Sequence, residues 1–460
     1  MKSDRKYCPG VASPDYNKSV LYQLRILNCS PRLLPAHTHR LSNGLSVILH
    51  PIPITDSVTV DIWVQTGGRN EPLEWLGLSH FLEHMVFKGN DRLAPGELDR
   101  AIEGRGGVTN AATSQDYTHY YITVAAGDLP ESLPYLAEVV LRAGIPADEF
   151  ERERQVVLEE IRRAADNPDY NAYQQLMQTA YGDHPYGRPV LGTPASLMDL
   201  TPELMRTYHQ GWYRPEQMTV VVTGGIDPER ALALVEEQFG GSPSGAELRI
   251  PPAPAQPRPQ GILRQESTHP RLEQARLLLA WPTVSAHDWQ TACGLEVLAS
   301  ILGDGRTSRL VHLLREQRGW VRGIGCSSMV LKEGGLFCVS AQMDPDHLSR
   351  VEATILHEIE KLQQDGIGQA ELDRTRRILT HEFLFSAESP SQLAGIYGYY
   401  ETLGGVQRIQ EYLELLQSLT PTQVRELAQQ HLSPEAYVVT TLKPAGLDSA
   451  SSPERQLAYR

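Results

Sequence analysis

The sequence predicts an α+β fold built twice, on three observations. Short β-branched runs such as residues 57–65 and 218–223 alternate with long amphipathic helical stretches, without a regular βαβ rhythm. A Pro- and Gly-rich stretch from Gly241 to Gly261 divides the 460 residues nearly in half. The halves also resemble each other: Thr201-Pro-Glu-Leu-Met-Arg206 recurs as Thr420-Pro-Thr-Gln-Val-Arg425, each followed at the same distance by Pro-Glu. Likewise Phe150-Glu-Arg-Glu-Arg-Gln-Val-Val-Leu-Glu-Glu160 lines up with Leu372-Asp-Arg-Thr-Arg-Arg-Ile-Leu-Thr-His-Glu382. The expected organisation is a flexible extension over 1–34, a domain carrying the chemistry over 35–240, a linker over 241–262 and a homologous domain over 263–460. Each domain is expected to be an antiparallel sheet with helices.

The chemistry of the first domain centres on His80-Phe81-Leu82-Glu83-His84. At about 3.6 residues per turn, His80 and His84 lie one turn apart with Glu83 beside them. Leu78, Phe81, Leu82 and Met85 fall on a separate, apolar stripe. Two neutral imidazoles one turn apart suit zinc, and H-x-x-E-H is a zinc peptidase signature. A solvated helix face is the competing reading of the pentad alone.

Zinc needs a third protein ligand. The run from Phe150 to Ala165 contains no Gly or Pro and predicts a helix. Glu159 falls on its polar stripe with Arg152, Gln155, Arg162, Arg163 and Asp166. Glu153 and Glu160 fall on the opposite stripe with Val156, Val157 and Ala164. Carboxylates on a partly apolar face are costly unless they bind a metal or pair with cations, such as arginines across a helix contact. Glu160 is the preferred third ligand, with Glu153 behind it.

These residues resemble the inverzincin metallopeptidases: pitrilysin, insulin-degrading enzyme and the mitochondrial and bacterial processing peptidases. That family places its third ligand 76 positions after the second histidine, which is Glu160 here, and has a glutamate seven residues earlier, matching Glu153. The stretches 77–89, 110–121 and 184–193 also agree, and the likeness runs from about His39 to Leu442. The resemblance implies two α+β domains forming half of a clamshell. It also implies one Zn²⁺ per chain held by His80, His84 and Glu160, with Glu83 as general base for attack by a zinc-activated water. Asn110 and Ala111 match the family's edge strand, which pairs with an extended substrate. Asn110 also reads as a turn residue after Gly106-Gly107. Phe87 matches a position lining the site, although an aromatic on a helix is commonly core. Arg315 matches the arginine of a family Arg/Tyr pair that binds the substrate carbonyl, but Arg322 stands where the tyrosine is expected.

The second half acts as an internal control. Gly77-Leu-Ser-His-Phe-Leu-Glu-His84 aligns with Gly294-Leu-Glu-Val-Leu-Ala-Ser-Ile301, so Val297, Ser300 and Ile301 replace the three chemical residues. The expected function is a zinc metalloendopeptidase acting on peptides or unfolded segments held extended in a closed chamber. The alternative is a non-catalytic structural or peptide-binding subunit. The missing tyrosine suggests a heterodimer with a homologous zinc-less subunit carrying the Arg/Tyr pair, with a homodimer as the second assembly.

Composition supports no nucleic-acid partner, since the net charge is −14. No apolar run is long enough to cross a bilayer, and the first residues lack a secretory apolar core. Five cysteines without CxxC spacing fit reduced thiols, so a cytoplasmic location is expected.

Overall fold

The computed structural model describes residues 36–242, 248 and 250–445. The expected extension over 1–34, part of the linker and the end of the second domain lie outside the described residues.

Two mixed sheets form the frame. The first contains β1 (His37–Arg40), β2 (Ser46–Pro51), β3 (Ser57–Val64), β4 (Val108–Thr113), β5 (Thr118–Ala125) and β6 (Met218–Gly224), in the order β1-β2-β6-β3-β5-β4. The second contains β7 (Leu263–His269), β8 (Ala275–Thr283), β9 (Val321–Val330), β10 (Gly335–Met343) and β11 (Val438–Pro444), in the order β7-β11-β8-β10-β9. Apart from β1, the two orders are the same. The α+β class holds, but the sheets are not wholly antiparallel: β6 runs parallel to β2, and β11 runs parallel to β7. In each half the last strand returns after a series of helices and inserts between two earlier strands, β6 between β2 and β3 and β11 between β7 and β8, parallel to the first of each pair and antiparallel to the second.

Six helices matter for the site: α1 (Leu78–Val86), α2 (Ala147–Ala165), α3 (Pro168–Tyr181), α4 (Trp289–Gly303), α5 (Gln369–Phe385) and α6 (Pro390–Leu403). Local sequence explains their ends. Asp148 and Glu149 open α2 while Arg162 and Arg163 close it, each complementing the helix dipole. Asn167 caps α3 and Ser389 caps α6, each followed by a proline at the first helical position.

The halves exchange helices. The first half's α3 packs on β8 and β11, where Leu176, Met177, Ala180 and Tyr181 join Ala280, Leu336 and Val438 in one apolar cluster. The second half's α6 packs on β3 and β6. There Thr223 Oγ1 donates to Pro390 O at 2.6 Å, and the Tyr397 hydroxyl meets His50 Nδ1 at 2.9 Å. The main core of the first half lies between the other face of its sheet and α1, with Val60, Ile62, Phe81, Leu82, Met85, Tyr120 and Ile122 all buried. Among the described residues, no helix is long and apolar enough to cross a membrane.

Candidate metal centre and active site

The start of α1 is held from a distance. Gly77 precedes it at φ +90°, and a Cβ there would lie 2.8 Å from Gly192 Cα. The Glu71 carboxylate accepts from Gly77 N at 2.7 Å and Ser79 N at 2.6 Å, satisfying N–H groups that the helix itself leaves open. Burial pushes this carboxyl up to about 7, against the pull of its backbone donors and Arg188. Leu78, Phe81, Leu82, Met85 and Val86 then bury one side of α1 and leave His80, Glu83 and His84 on the other.

Phe81 meets Phe150 with ring centroids 4.5 Å apart, so α1 and α2 lie side by side. This brings the three proposed ligands together: Glu160 Oε2 is 3.6 Å from His80 Nε2 and 3.4 Å from His84 Nε2. One ligand atom from each of the three lies within 4.8 Å of the others. Tetrahedral zinc with bonds of about 2.0–2.2 Å separates its ligand atoms by about 3.4 Å, so the donor set fits that ion.

Glu153 stands behind this set. Its Oε1 is 2.9 Å from His84 Nδ1 and its Oε2 is 2.7 Å from Lys88 Nζ. The carboxylate fixes the imidazole so that Nε2 faces Glu160. The buried carboxylate is thus paired with a histidine and a lysine, whereas Glu159 takes the exposed arginine pairs, with Arg162 and Arg163.

The local electrostatics favour neutral imidazole at one position and a proton-accepting group beside it. Burial, with neighbouring His84, lowers His80 to about 3. At His84 burial also opposes charge, but the Glu153 hydrogen bond and the charges of Glu160 and Glu83 outweigh it and raise the pKa. Burial raises Glu83, against the Thr113 hydrogen bond and His84. For Glu153 burial acts upward, yet His84 and Lys88 hold it below the usual carboxylate range.

Asn110 and Ala111 lie within β4, at the edge of the sheet, with Asn110 opposite Tyr121 and Ala111 opposite Tyr120. The turn reading of Asn110 is therefore set aside. Two residues further on, Thr113 Oγ1 donates to Glu83 Oε2 at 2.5 Å and ties this edge strand to α1. Phe87 ends α1 half-buried, packed on the core with its ring 6.0 Å from that of Tyr120. Arg315 lies in the second half on a helical segment, Val311–Gln317, and its ion pair is with Glu316. Arg322 is exposed on β9. The structure thus joins His80, Glu83, His84, Glu153 and Glu160 directly and brings β4 to them, while Arg315 pairs elsewhere.

Sequence reasoning missed three contributors. Glu71 acts across a loop and carries no local signal. Thr113 shares the face of Ala111 by strand alternation, a signal that was available. Asp116, in the β4–β5 turn, accepts from Arg69 Nε and the Tyr186 hydroxyl at 2.7 Å and from Lys332 N at 2.9 Å. It thereby ties the end of the edge strand to the β9–β10 hairpin.

A His-His-Glu donor set with a carboxylate beside it, on a duplicated α+β scaffold, defines the class of the zinc metallopeptidase folds. The chain belongs to peptidase family M16. Residues 46–194 match the family described as Insulinase (Peptidase family M16), and residues 199–379 match the Peptidase M16 inactive domain. It is 31% identical to an uncharacterized zinc protease of Mycobacterium bovis, over 90% of this chain and 94% of that protein. It is 30% identical to zinc protease PqqE of Helicobacter pylori, over 89% and 94%. Among solved structures it resembles a protease from Helicobacter pylori, with a TM-score of 0.85 and 27% identity over 90% of this chain and 100% of that one.

Proposed function

We propose that the chain is a zinc-dependent endopeptidase that hydrolyses extended peptides or unfolded segments. The observation that carries this reading is the convergence of His80 Nε2, His84 Nε2 and Glu160 Oε2 at zinc-ligand separations, with Glu83 on the same helix face. One zinc per chain, when bound, supplies a Lewis acid that polarises the scissile carbonyl and makes a water molecule more acidic. Glu83 takes the proton of the attacking water and passes it to the leaving amine. Its raised pKa suits both duties, and the Thr113 hydroxyl holds one carboxylate oxygen in place. His84 is oriented by Glu153, whose other oxygen pairs with Lys88. The peptide lies along β4 as an added strand, so Asn110 and Ala111 read its backbone and not its side chains.

The chain supplies two of the four domains of a closed chamber. A homologous zinc-less chain carrying the Arg/Tyr pair completes it, with self-association as the second assembly, in a cytoplasmic setting. Arg322 in place of tyrosine favours this complementation. It is also what supports the second reading, a non-catalytic peptide-binding or structural subunit.

Glu83→Gln separates the two. For an enzyme it keeps zinc, measured by metal analysis, and lowers peptide cleavage by about 10²–10⁴-fold. Undiminished cleavage would remove Glu83 from the mechanism, and a wild-type native assembly that binds peptides without cleaving them would favour the second reading.

A further inference from the structure

The face of the first sheet opposite α1 carries a stack of rings that the proposed mechanism does not use. Trp63 on β3 lies 4.3 Å, centroid to centroid, from His119 on β5, with 27° between the ring planes. His119 stacks in turn on Tyr121 at 5.9 Å and 21°. His119 Nδ1 is held by the buried Asp61 carboxylate, 3.0 Å from Oδ1 and 3.1 Å from Oδ2. The stack runs from covered to open. Its Trp63 end is sealed by α6, where a Cβ on Gly398 would fall 2.0 Å from the indole. His119 and Tyr121 are half-buried, and the residues opposite them on β4, Ala112 and Asn110, are exposed.

The duplicated sheet shows that the scaffold does not require these rings. By register, the counterparts of Trp63, His119 and Tyr121 are Ala280, Cys338 and Ser340. An Asp–His pair and a graded ring stack next to the edge strand are therefore additions to the first half.

We propose that this stack is a specificity subsite for an aromatic side chain of the peptide substrate. The inference rests on the reading of the chain as a peptidase that adds substrate to β4. Side chains of an added strand alternate between faces. Those level with Ala111 and Thr113 face Glu83, so those level with Ala112 and Asn110 face the ring stack. Strands lie about 4.8 Å apart, so a substrate residue beside Ala112 starts about two spacings from His119. The alanine methyl leaves that path open, and an aromatic side chain has the length to cross it and meet the imidazole. Offset or edge-on ring contacts stabilise such a pair.

The test compares two extended peptides that differ only at the residue level with Ala112, phenylalanine against alanine, using the full chain in its native assembly. Wild type is expected to prefer the aromatic peptide by roughly 3- to 10-fold in kcat/KM. In His119→Asn, which keeps a donor for Asp61 and removes the imidazole from the stack, the ratio falls to about 1. Ala112→Leu, an exposed change that closes the path without disturbing the fold, lowers the ratio similarly. Wild-type cleavage without an aromatic preference, or an unchanged ratio in both variants, overturns the subsite while leaving the peptidase reading intact. Failure of wild type to cleave either peptide refutes the peptidase reading and the subsite with it.

Discussion

The two halves share a scaffold and differ in what they place on it. In the first half, α1 buries one stripe and turns His80, Glu83 and His84 towards Glu160. In the second, α4 is buried on nearly every side, and Val297, Ser300 and Ile301 are part of the interior. Glu382 keeps the acidic position of Glu160 but shares a hydrogen bond with Asp304, and partial desolvation with that neighbouring carboxylate raises its pKa. Among the described residues, the single group with metal-binding geometry is the one in the first half. The difference teaches that a metal site in this fold needs one helix face kept out of the core, as well as the right side chains.

The largest effect expected from breaking this comparison is at the paired glutamates. Glu160→Gln should lose zinc and all measurable cleavage, while Glu382→Gln should keep both. Metal analysis with a peptide assay checks this, and equal losses would mean that the second half also holds metal.

A smaller effect concerns pH. Glu296 on α4 is half-buried, and its desolvation pushes its carboxyl up to about 7, against a hydrogen bond from Tyr412. Its folded pKa lies above its unfolded value, so stability is highest when it is protonated and falls as pH rises from about 4.5 to about 7. Glu296→Gln should therefore stabilise the chain above pH 7 by a few kcal/mol and have little effect below pH 4.5. Denaturant unfolding at several pH values tests this, and a pH-independent change would contradict the assignment.

Glu153→Gln should weaken zinc binding by about 10- to 100-fold, because His84 loses its orienting carboxylate. Competition with a chelator measures the affinity; wild-type affinity would show that packing alone holds the imidazole.

The smallest effect is at the exchanged helices. Trp63 and Gly398 in one half occupy the positions of Ala280 and Leu176 in the other, with large and small residues reversed. Gly398→Ala should cost about 1–3 kcal/mol through contact with the indole. A variant as stable as wild type in thermal melts would show that Trp63 has room to shift.

Much of the first-half site was legible because helical spacing places residues on faces without tertiary information. His80, Glu83 and His84 needed only the repeat of one helix, and Glu153 and Glu160 needed only that of a second. Recognition of the family linked the two. Contacts set by the whole chain were not legible. The carboxylate of Glu71 reaches α1 through a loop, and Lys332 reaches Asp116 from the other half. Antiparallel sheets were expected because strand runs reveal their length but not their neighbours, and only the insertion of β6 and β11 creates the parallel pairs. Phe87 matches a family position and also reads as core; its half-buried ring packs on the core and keeps an exposed part.

The helix exchange also bears on how the protein is made and dismantled. A chain cut within 241–262 should remain one particle, because each fragment keeps a helix seated on the other's sheet. Expressed alone, either fragment would leave a bare sheet face and an unhoused helix, whereas co-expressed fragments have what they need to reassemble. The halves are thus two copies of one ancestral unit but a single unit of assembly.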